Sequence, residues 1–220
     1  MEKDTKKIKI AEIFDSIQGE GSYQGYPVTF IRVSGCTRAC SFCDSKYHTH
    51  GTYWSINQIV QRLRRSKSKI VIWTGGSPLI YRQEIINVIE KLPLKDFHLE
   101  TNGDLIRDRE DLIDLLLDFS YICISPKDLK TAKKAYRWRK EFKPLDLSIY
   151  NLVDIKVVTD LDTVGVDMIK YATTLMPLTT GNLKKDNQIR RRVWEYCVKH
   201  HLFYSARLHV SVWGVQRRKK

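Results

Sequence analysis

The sequence predicts an α/β fold on a parallel sheet, open or curled into a partial, TIM-like (β/α)6-type barrel, with a C-terminal helix and an extended segment closing the chain. Three observations carry that expectation. Six apolar, β-branched runs recur along the chain, helix-period segments lie between most of them, and a polar loop with Gly, Pro or clustered Cys follows each of the first four. Strand, helix and strand in repetition demand crossovers on the faces of a parallel sheet.

The predicted strands are VTFIRVS (28–34), KIVIWT (69–74), FHLET (97–101), YICIS (121–125), LVDIKVV (152–158) and TTLMPL (173–178). The predicted helices are SINQIVQRLRR (55–65), YRQEIINVIEKL (81–92), REDLIDLLLDF (109–119) and DTVGVDMIKYA (162–172). Ser55 and Asp162 stand where N-caps belong. A last helix is expected near 184–200, and ARLHVSVW (206–213) reads as extended.

At 220 residues the chain suits one core, and no Gly/Ser-rich or Pro-rich linker divides it. One domain over 1–220 is expected, with an N-terminal element at 14–26, a cysteine loop at 35–48 and a closing segment at 181–220. The first residues are charged, and no run of about eighteen apolar residues occurs. A soluble, cytosolic protein without a membrane partner is the expectation.

The formal charge is +13. Such an excess attracts polyanions through a long-range, salt-dependent field. Here it is scattered over RLRRSKSK (62–69), KDLKTAKKAYRWRKEFK (127–143), RRR (190–192) and the terminal RRKK. The 127–143 stretch interleaves Tyr136, Trp138 and Phe142 with cations, a pattern that serves a stacking surface for bases or a solvated helix with its aromatics turned inward. The second is expected, and direct nucleic-acid binding is not.

In parallel α/β sheets, functional groups gather beyond the carboxyl ends of the strands. Residues 36–45 follow the first predicted strand, TGGSP (74–78) the second, ETNG (100–103) the third and SPK (125–127) the fourth. Cys36, Cys40 and Cys43 form a Cys-x3-Cys-x2-Cys run, while Cys123 and Cys197 stand among apolar neighbours as core residues. Three thiols suit neither paired disulfides nor a closed four-ligand zinc site. They do suit a [4Fe-4S] cluster, whose fourth iron stays open to chelation by the amino and carboxylate groups of S-adenosylmethionine. The alternative is a zinc site completed by His48 or His50.

CTRACSFC (36–43) resembles the radical S-adenosylmethionine superfamily. FDSIQGEGSYQGYPVTFIRVSGC (14–36), CDS (43–45), TGGSP, LETNG, ISPK, DIKVV, LMPL and RLHVSVWG extend the resemblance over nearly the whole chain, and within the superfamily it is to the 7-carboxy-7-deazaguanine synthase family. SIQGEG and CDS are what narrow it.

That resemblance implies a reaction. 6-Carboxy-5,6,7,8-tetrahydropterin, bound with Mg²⁺, loses hydrogen at C6 to a 5′-deoxyadenosyl radical, contracts its ring, recovers hydrogen and expels ammonia. It also implies roles. Ile17, Gln18, Gly19, Glu20, Arg32, Thr74 and His209 would contact substrate, Arg32 through the substrate carboxylate. Phe42, Cys43, Asp44, Gly76, Glu100, Asn102, Ser125, Pro126, Lys127, Met176, Pro177, Leu178 and Thr179 would line the cofactor. The Ser45 hydroxyl would help hold Mg²⁺, a hard cation that keeps several non-protein ligands. An electron donor such as flavodoxin or ferredoxin and a homodimer are implied as well.

Local readings stand beside these roles: a hairpin turn at 18–21, an outward strand position for Arg32, and turn capping for Ser45. Two departures are visible. Ser77 stands where the superfamily commonly has Glu, and the chain continues past His209, where some relatives end. The rival functions are a glycyl-radical activase and a zinc-containing basic binding module.

Overall fold

The computed structural model describes residues 6–40, 43, 50–142 and 152–214. They fall into two compact units, one made of residues up to Ser16 with Pro27–Ile122, the other of Ile17–Tyr26 with residues from Cys123 onward.

In the first unit the strands are β1 (Lys7–Ile17), β2 (Pro27–Val33), β3 (Thr52–Ser55), β4 (Ile70–Gly75) and β5 (Asp96–Thr101), ordered β3-β1-β2-β4-β5. β2, β4 and β5 run parallel, with Arg32 beside Thr74 and Val33 beside Gly75. Val28, Ile31, Val71, Ile72, Trp73 and Leu99 are fully buried, as expected of parallel strands covered on both faces. Three helices accompany them: α1 (Ile56–Arg64), α2 (Arg82–Ile89), entered through a 3₁₀ turn at Pro78–Tyr81, and α3 (Arg109–Asp118).

Ser55 caps α1 as expected. Its hydroxyl accepts from the Gln58 amide at 3.3 Å, and the Gln58 side chain accepts from the Ser55 amide at 2.8 Å. Such a cap contributes about 1 kcal/mol. Ile56, Ile59, Val60 and Leu63 then form the buried stripe.

β1 and β3 were not expected from the sequence. They pair antiparallel, Lys7 opposite Ser55 and Ile10 opposite Thr52. Lys7-Ile8-Lys9-Ile10 alternates as a half-buried strand does, with Ile8 and Ile10 inward.

β6 (Tyr121–Ile124) lies where the chain passes from one unit to the other. The second unit contains α4 (Leu129–Phe142), β7 (Val153–Thr159), a 3₁₀ turn at Val166–Tyr171, β8 (Thr174–Pro177), α5 (Leu183–His200), β9 (Phe203–Tyr204) and α6 (Leu208–Trp213). β7, β8 and β9 are parallel neighbours in that order. β3 ends the strand order in the first unit and β9 in the second.

Two expected elements are corrected here. The 162–172 segment forms only the short 3₁₀ turn, and Asp160, not Asp162, caps its approach by accepting from the amides of Asp162, Thr163 and Val164 at 3.1, 2.8 and 2.8 Å. Burial raises the Asp160 carboxyl, but these donors and the Thr163 hydroxyl outweigh it and hold the group well below the usual range. Asp162 instead makes a two-point contact with Arg192 at 2.6 Å. The segment read as extended at 206–213 carries α6, because the Val210, Ser211 and Gly214 amides bond back along the chain to Arg207, Arg207 and Val210.

Of the aromatics in the basic 127–143 stretch, Trp138 is buried as the inward-facing reading expected, Tyr136 is half-buried, and the Phe142 side chain lies outside the described residues. Ala132, Ala135 and Trp138 are buried on α4, while Lys133, Arg137 and Lys140 are exposed. Among the described residues, no helix is long and apolar enough to cross a membrane.

Candidate active site

In the first unit, the loops leaving β2, β4 and β5 hold the thiols and the glycine turn. The Gly76 amide donates to the Val33 carbonyl at 3.2 Å and the Ser77 amide to the Gly35 carbonyl at 2.8 Å. A Cβ on Gly76 would lie 1.6 Å from the Gly35 carbonyl oxygen, so only glycine lets the TGGSP turn approach the start of the thiol loop. Thr74 and Gly76 are half-buried beside it. Ser77 is fully buried, and its hydroxyl has no hydrogen-bond partner among the described residues. The replacement of Glu thus preserves the backbone turn and supplies no carboxylate.

Cys36, Cys40 and Cys43 are all half-buried. The Cys43 amide donates to the Cys40 carbonyl at 3.1 Å, and the Arg38 amide donates to Cys36 Sγ at 3.4 Å. That amide is aimed at a sulfur that would ligate iron. Among the described residues no group of three His, Cys, Asp or Glu side chains is placed to hold a single metal ion. A cluster spreads its thiolates over separate irons, so three accessible thiols on one short loop fit that group in number and chemistry. Cys123 and Cys197 are buried, as expected of core residues. Burial pushes the Cys197 thiol up to about 11.

A polar network absent from the sequence reading anchors the thiol loop to the end of β5. Arg38 donates through Nε and Nη2 to both oxygens of Asp104 at 2.6 Å, and Thr37 Oγ1 donates to Asp104 at 2.8 Å. The Asn102 side chain donates to Thr37 Oγ1 at 2.8 Å and accepts from the Asp104 amide at 3.1 Å. Asn102 therefore ties down the loop. Glu100, at the end of the same strand, is half-buried. Arg32 donates through Nε to Glu12 at 2.8 Å, with both side chains mostly buried. Phe42, Asp44 and Ser45 lie outside the described residues, as does His48.

In the second unit, Gln18, Gly19 and Glu20 open a hydrogen-bonded loop that closes at Gly25 and Tyr26. The Gln18 amide donates to the Tyr26 carbonyl at 2.8 Å, and the Gly25 amide donates to the Gln18 carbonyl at 2.9 Å. The Gln18 side chain accepts from the Glu20 amide at 3.1 Å. The turn expected at 18–21 thus lies a few residues later, at 22–25. The loop also joins the late segment: the Leu208 amide donates to the Gly19 carbonyl at 2.9 Å, and the Gly21 amide to Ser205 Oγ at 2.8 Å. His209 packs so closely that a Cβ on Gly19 would lie 2.5 Å from its Nδ1.

Glu20 accepts from Lys156 Nζ at 2.9 Å and from Arg207 Nε at 3.2 Å, with His209 Nε2 at 3.9 Å. Burial would raise its carboxyl; the Lys156 and Arg207 cations outweigh burial and hold it well below the usual range. Ile17, by contrast, is 44% exposed.

The remaining positions expected to line the cofactor sit at strand ends of this unit. Lys127 Nζ donates to Ser125 Oγ at 3.0 Å, and Pro126 between them is buried. Met176 and Pro177 are buried at the end of β8, the Leu178 amide donates to the Thr159 carbonyl at 2.9 Å, and Thr179 is half-buried.

With this geometry in place, known proteins can be compared. The Radical SAM superfamily model matches residues 30–155. A 7-carboxy-7-deazaguanine synthase of Hyperthermus butylicus is 30% identical over 228 residues, covering 93% of this chain and 92% of its own length. The chain belongs to the 7-carboxy-7-deazaguanine synthase family.

A second member of that family, from Pyrobaculum aerophilum, is 29% identical and spans 98% of this chain and 99% of its own. A crystal structure of QueE from Escherichia coli superposes with a TM-score of 0.62 at 17% identity, over 92% of this chain and 95% of that one, which establishes the shared fold. The chain is thus a radical S-adenosylmethionine enzyme of this family, with the [4Fe-4S] cluster and cofactor that the superfamily uses. The zinc-module and activase readings fall away. What the motifs did not reveal is the set of partners: Lys156 and Arg207 around Glu20, Asp104 under the thiol loop, and Glu12 beside Arg32. Only Lys156 left a signal, as a cation inside a largely apolar strand.

Proposed function

We propose that this chain converts 6-carboxy-5,6,7,8-tetrahydropterin into 7-carboxy-7-deazaguanine with release of ammonia. The observation that carries the reading is the buried, ion-paired Glu20 turn, which belongs to the element that separates this family from other enzymes with the same thiol motif. When bound, the cluster and S-adenosylmethionine supply a 5′-deoxyadenosyl radical able to take hydrogen from carbon. Cys36, Cys40 and Cys43 hold the cluster, and Asp104 and Asn102 keep their loop on β5.

The glycine turn at Gly76, with Glu100, Ser125, Pro126, Lys127, Met176, Pro177, Leu178 and Thr179, orients the cofactor, and Thr74 contacts substrate. Glu20, as a carboxylate, accepts N–H groups of the pterin ring. Arg32, fixed through Nε by Glu12, takes the substrate carboxylate in a planar two-point contact. His209 and Gln18 complete the substrate contacts. Hydrogen removed from C6 returns after ring contraction, and one nitrogen leaves as ammonia, so substrate and products balance without an external oxidant. The protein supplies orientation, charge and exclusion of water.

The same reading gives Ser45 a share in holding Mg²⁺, names a flavodoxin- or ferredoxin-like electron donor, and describes a cytoplasmic homodimer whose chains each work as one domain. Resemblance supports these points.

The test is anaerobic reconstitution and reduction, incubation with S-adenosylmethionine and the carboxylated pterin, and mass spectrometry of the products. Formation of 7-carboxy-7-deazaguanine is expected. Cleavage of S-adenosylmethionine with the pterin left intact would overturn the substrate assignment. Arg32→Ala should cost about 2 to 5 kcal/mol of transition-state stabilisation, the range for removing one partner of a desolvated ion pair. Replacing exposed Lys133, Arg137 and Lys140 by Gln should leave turnover unchanged. Arg139 is kept out of that set because its Nε donates to the Val153 carbonyl at 2.8 Å.

A further inference from the structure

Lys156 stands in the middle of β7, where Val153, Asp154, Ile155 and Val157 are also buried. Its side chain is 4% exposed, that of Arg207 is 10% exposed, and that of Glu20 is 19% exposed. Each Glu20 oxygen has its own cation: Oε2 takes Lys156 at 2.9 Å and Oε1 takes Arg207 at 3.2 Å. The two cations come from β7 and from the residue ahead of α6.

Stability alone does not explain this arrangement. Taking charges out of water costs several kcal/mol per ion, and an apolar side chain of similar length inside a buried strand is commonly as stable or more so. A pair of cations fixing both oxygens does something packing cannot. It sets the plane of the carboxylate and keeps it an acceptor.

We infer that Lys156 and Arg207 are positioning residues for the reaction, clamping both Glu20 oxygens so that the carboxylate meets the N–H-bearing edge of the bound heterocycle in one orientation. The inference rests on the reading of Glu20 as a substrate contact. Neighbouring bonds point the same way, since the backbone on both sides of Glu20 is tied down, Gly19 to Leu208 and Gly21 to Ser205. Ser22 also donates to Asp154, two residues before Lys156.

The experiment uses the full chain, anaerobically loaded with cluster, in six forms: wild type, Lys156→Met, Lys156→Arg, Arg207→Gln, Glu20→Gln and the double variant Lys156→Met/Glu20→Gln. Thermal unfolding without substrate is measured beside the pterin KM, kcat and the KM for S-adenosylmethionine. Lys156→Met and Arg207→Gln should each raise the pterin KM roughly tenfold, a middle value for coupling within one ion network. The kcat and the KM for S-adenosylmethionine should stay within about twofold, because the clamp does not touch the cofactor. In the Glu20→Gln background, Lys156→Met should add less than about twofold. Lys156→Arg should recover most of the loss.

If Glu20→Gln raises the pterin KM and Lys156→Met and Arg207→Gln do not, the positioning role is overturned while the substrate contact stands. A Lys156→Met effect of equal size in both backgrounds overturns it too, because the lysine then acts elsewhere. If Glu20→Gln leaves the pterin KM unchanged, the substrate contact fails and the inference falls with it. Should Lys156→Met not fold, Arg207→Gln, placed outside the strand, carries the same test.

Discussion

The thiol loop of the first unit and the Glu20 turn of the second, both proposed here to bind ligands, are secured differently. Cys36, Cys40 and Cys43 are half-buried, and the network holding their loop ends on Asp104, whose side chain is 16% exposed and whose partner Arg38 is 28% exposed. Glu20 is held by cations exposed by 10% or less, and its flanking backbone is bonded to the late segment. The cations on Glu20 are more deeply buried than Arg38, and removing one partner of a buried pair leaves a charge without compensation, whereas a partly exposed pair gains less over hydration. The Glu20 turn is thus secured by buried counter-charges and the start of the thiol loop by a partly exposed one.

The largest expected effect tests whether the first unit is rigid where the glycine turn meets that loop. Gly76→Ala places a Cβ against the Gly35 carbonyl and should destabilise the protein by about 3 kcal/mol or more, with loss of cluster uptake. Gly19→Ala meets the His209 ring first, a side chain that can turn aside, and then the His209 backbone nitrogen at 3.3 Å. It should cost about 1 kcal/mol and raise the pterin KM. Urea titration of both variants checks the ranking, and equal losses would break the contrast.

Next come the thiols. Cys36→Ala, Cys40→Ala and Cys43→Ala should each abolish the visible absorbance of the reconstituted cluster, whereas Cys123→Ala and Cys197→Ala should keep it. Before reconstitution, a maleimide should label the first three and spare the buried pair. Retained cluster in any of the first three variants would remove that residue from the ligand set.

Asp104→Ala should have a smaller effect. It takes away both Arg38 contacts and the Thr37 contact, so iron should be lost to a chelator several-fold faster. The folded protein should lose only about 1 kcal/mol, as for a partly exposed pair. The corresponding Lys156→Met variant should retain iron normally, which sharpens the separation between the two regions.

The smallest effects are those of pH. The Glu20 carboxyl is depressed in the folded protein from an ordinary 4.5. Its contribution to stability is therefore complete above the ordinary value and lost as pH falls below it. Cys197 runs the other way, since burial raises its thiol from 9.0 to about 11. Its contribution is complete below pH 9.0 and lost as pH rises toward the folded value. Unfolding midpoints across acid and alkaline series check both limbs. Glu20→Gln should flatten the first and Cys197→Ala the second.

The repeated core was legible in the chain because burial on both faces writes itself as continuous β-branched runs. All six expected strands are present, β2 and β4 to β8, within a residue or two at each end. α1, α2, α3 and α5 followed equally well from their helical period. The thiols, the glycine turn and the Glu20 motif could be read for a similar reason, since each is a short local string whose chemistry depends on spacing. β3 and β9 escaped because an edge strand needs few apolar residues, and β1, which lies inside the order, because only its Lys7–Ile10 stretch alternates. The 162–172 segment misled because its apolar period suggested a helix where Asp160 draws the backbone amides into a turn. α6 misled because Leu208–Trp213 alternates like a strand, and bonds back to Arg207 decide its winding.

What only the tertiary structure decided is which charges meet. Lys156 and Arg207 are 136 and 187 residues from Glu20, and Asp104 is 66 residues from Arg38. A side chain's partner at such separations depends on how strands are ordered and where each loop returns, information spread over the whole core. The sequence by itself specified the groups able to hold a cluster and a substrate. Packing specified the counter-charges that aim them, because a buried ion is tolerated only where the fold delivers its partner.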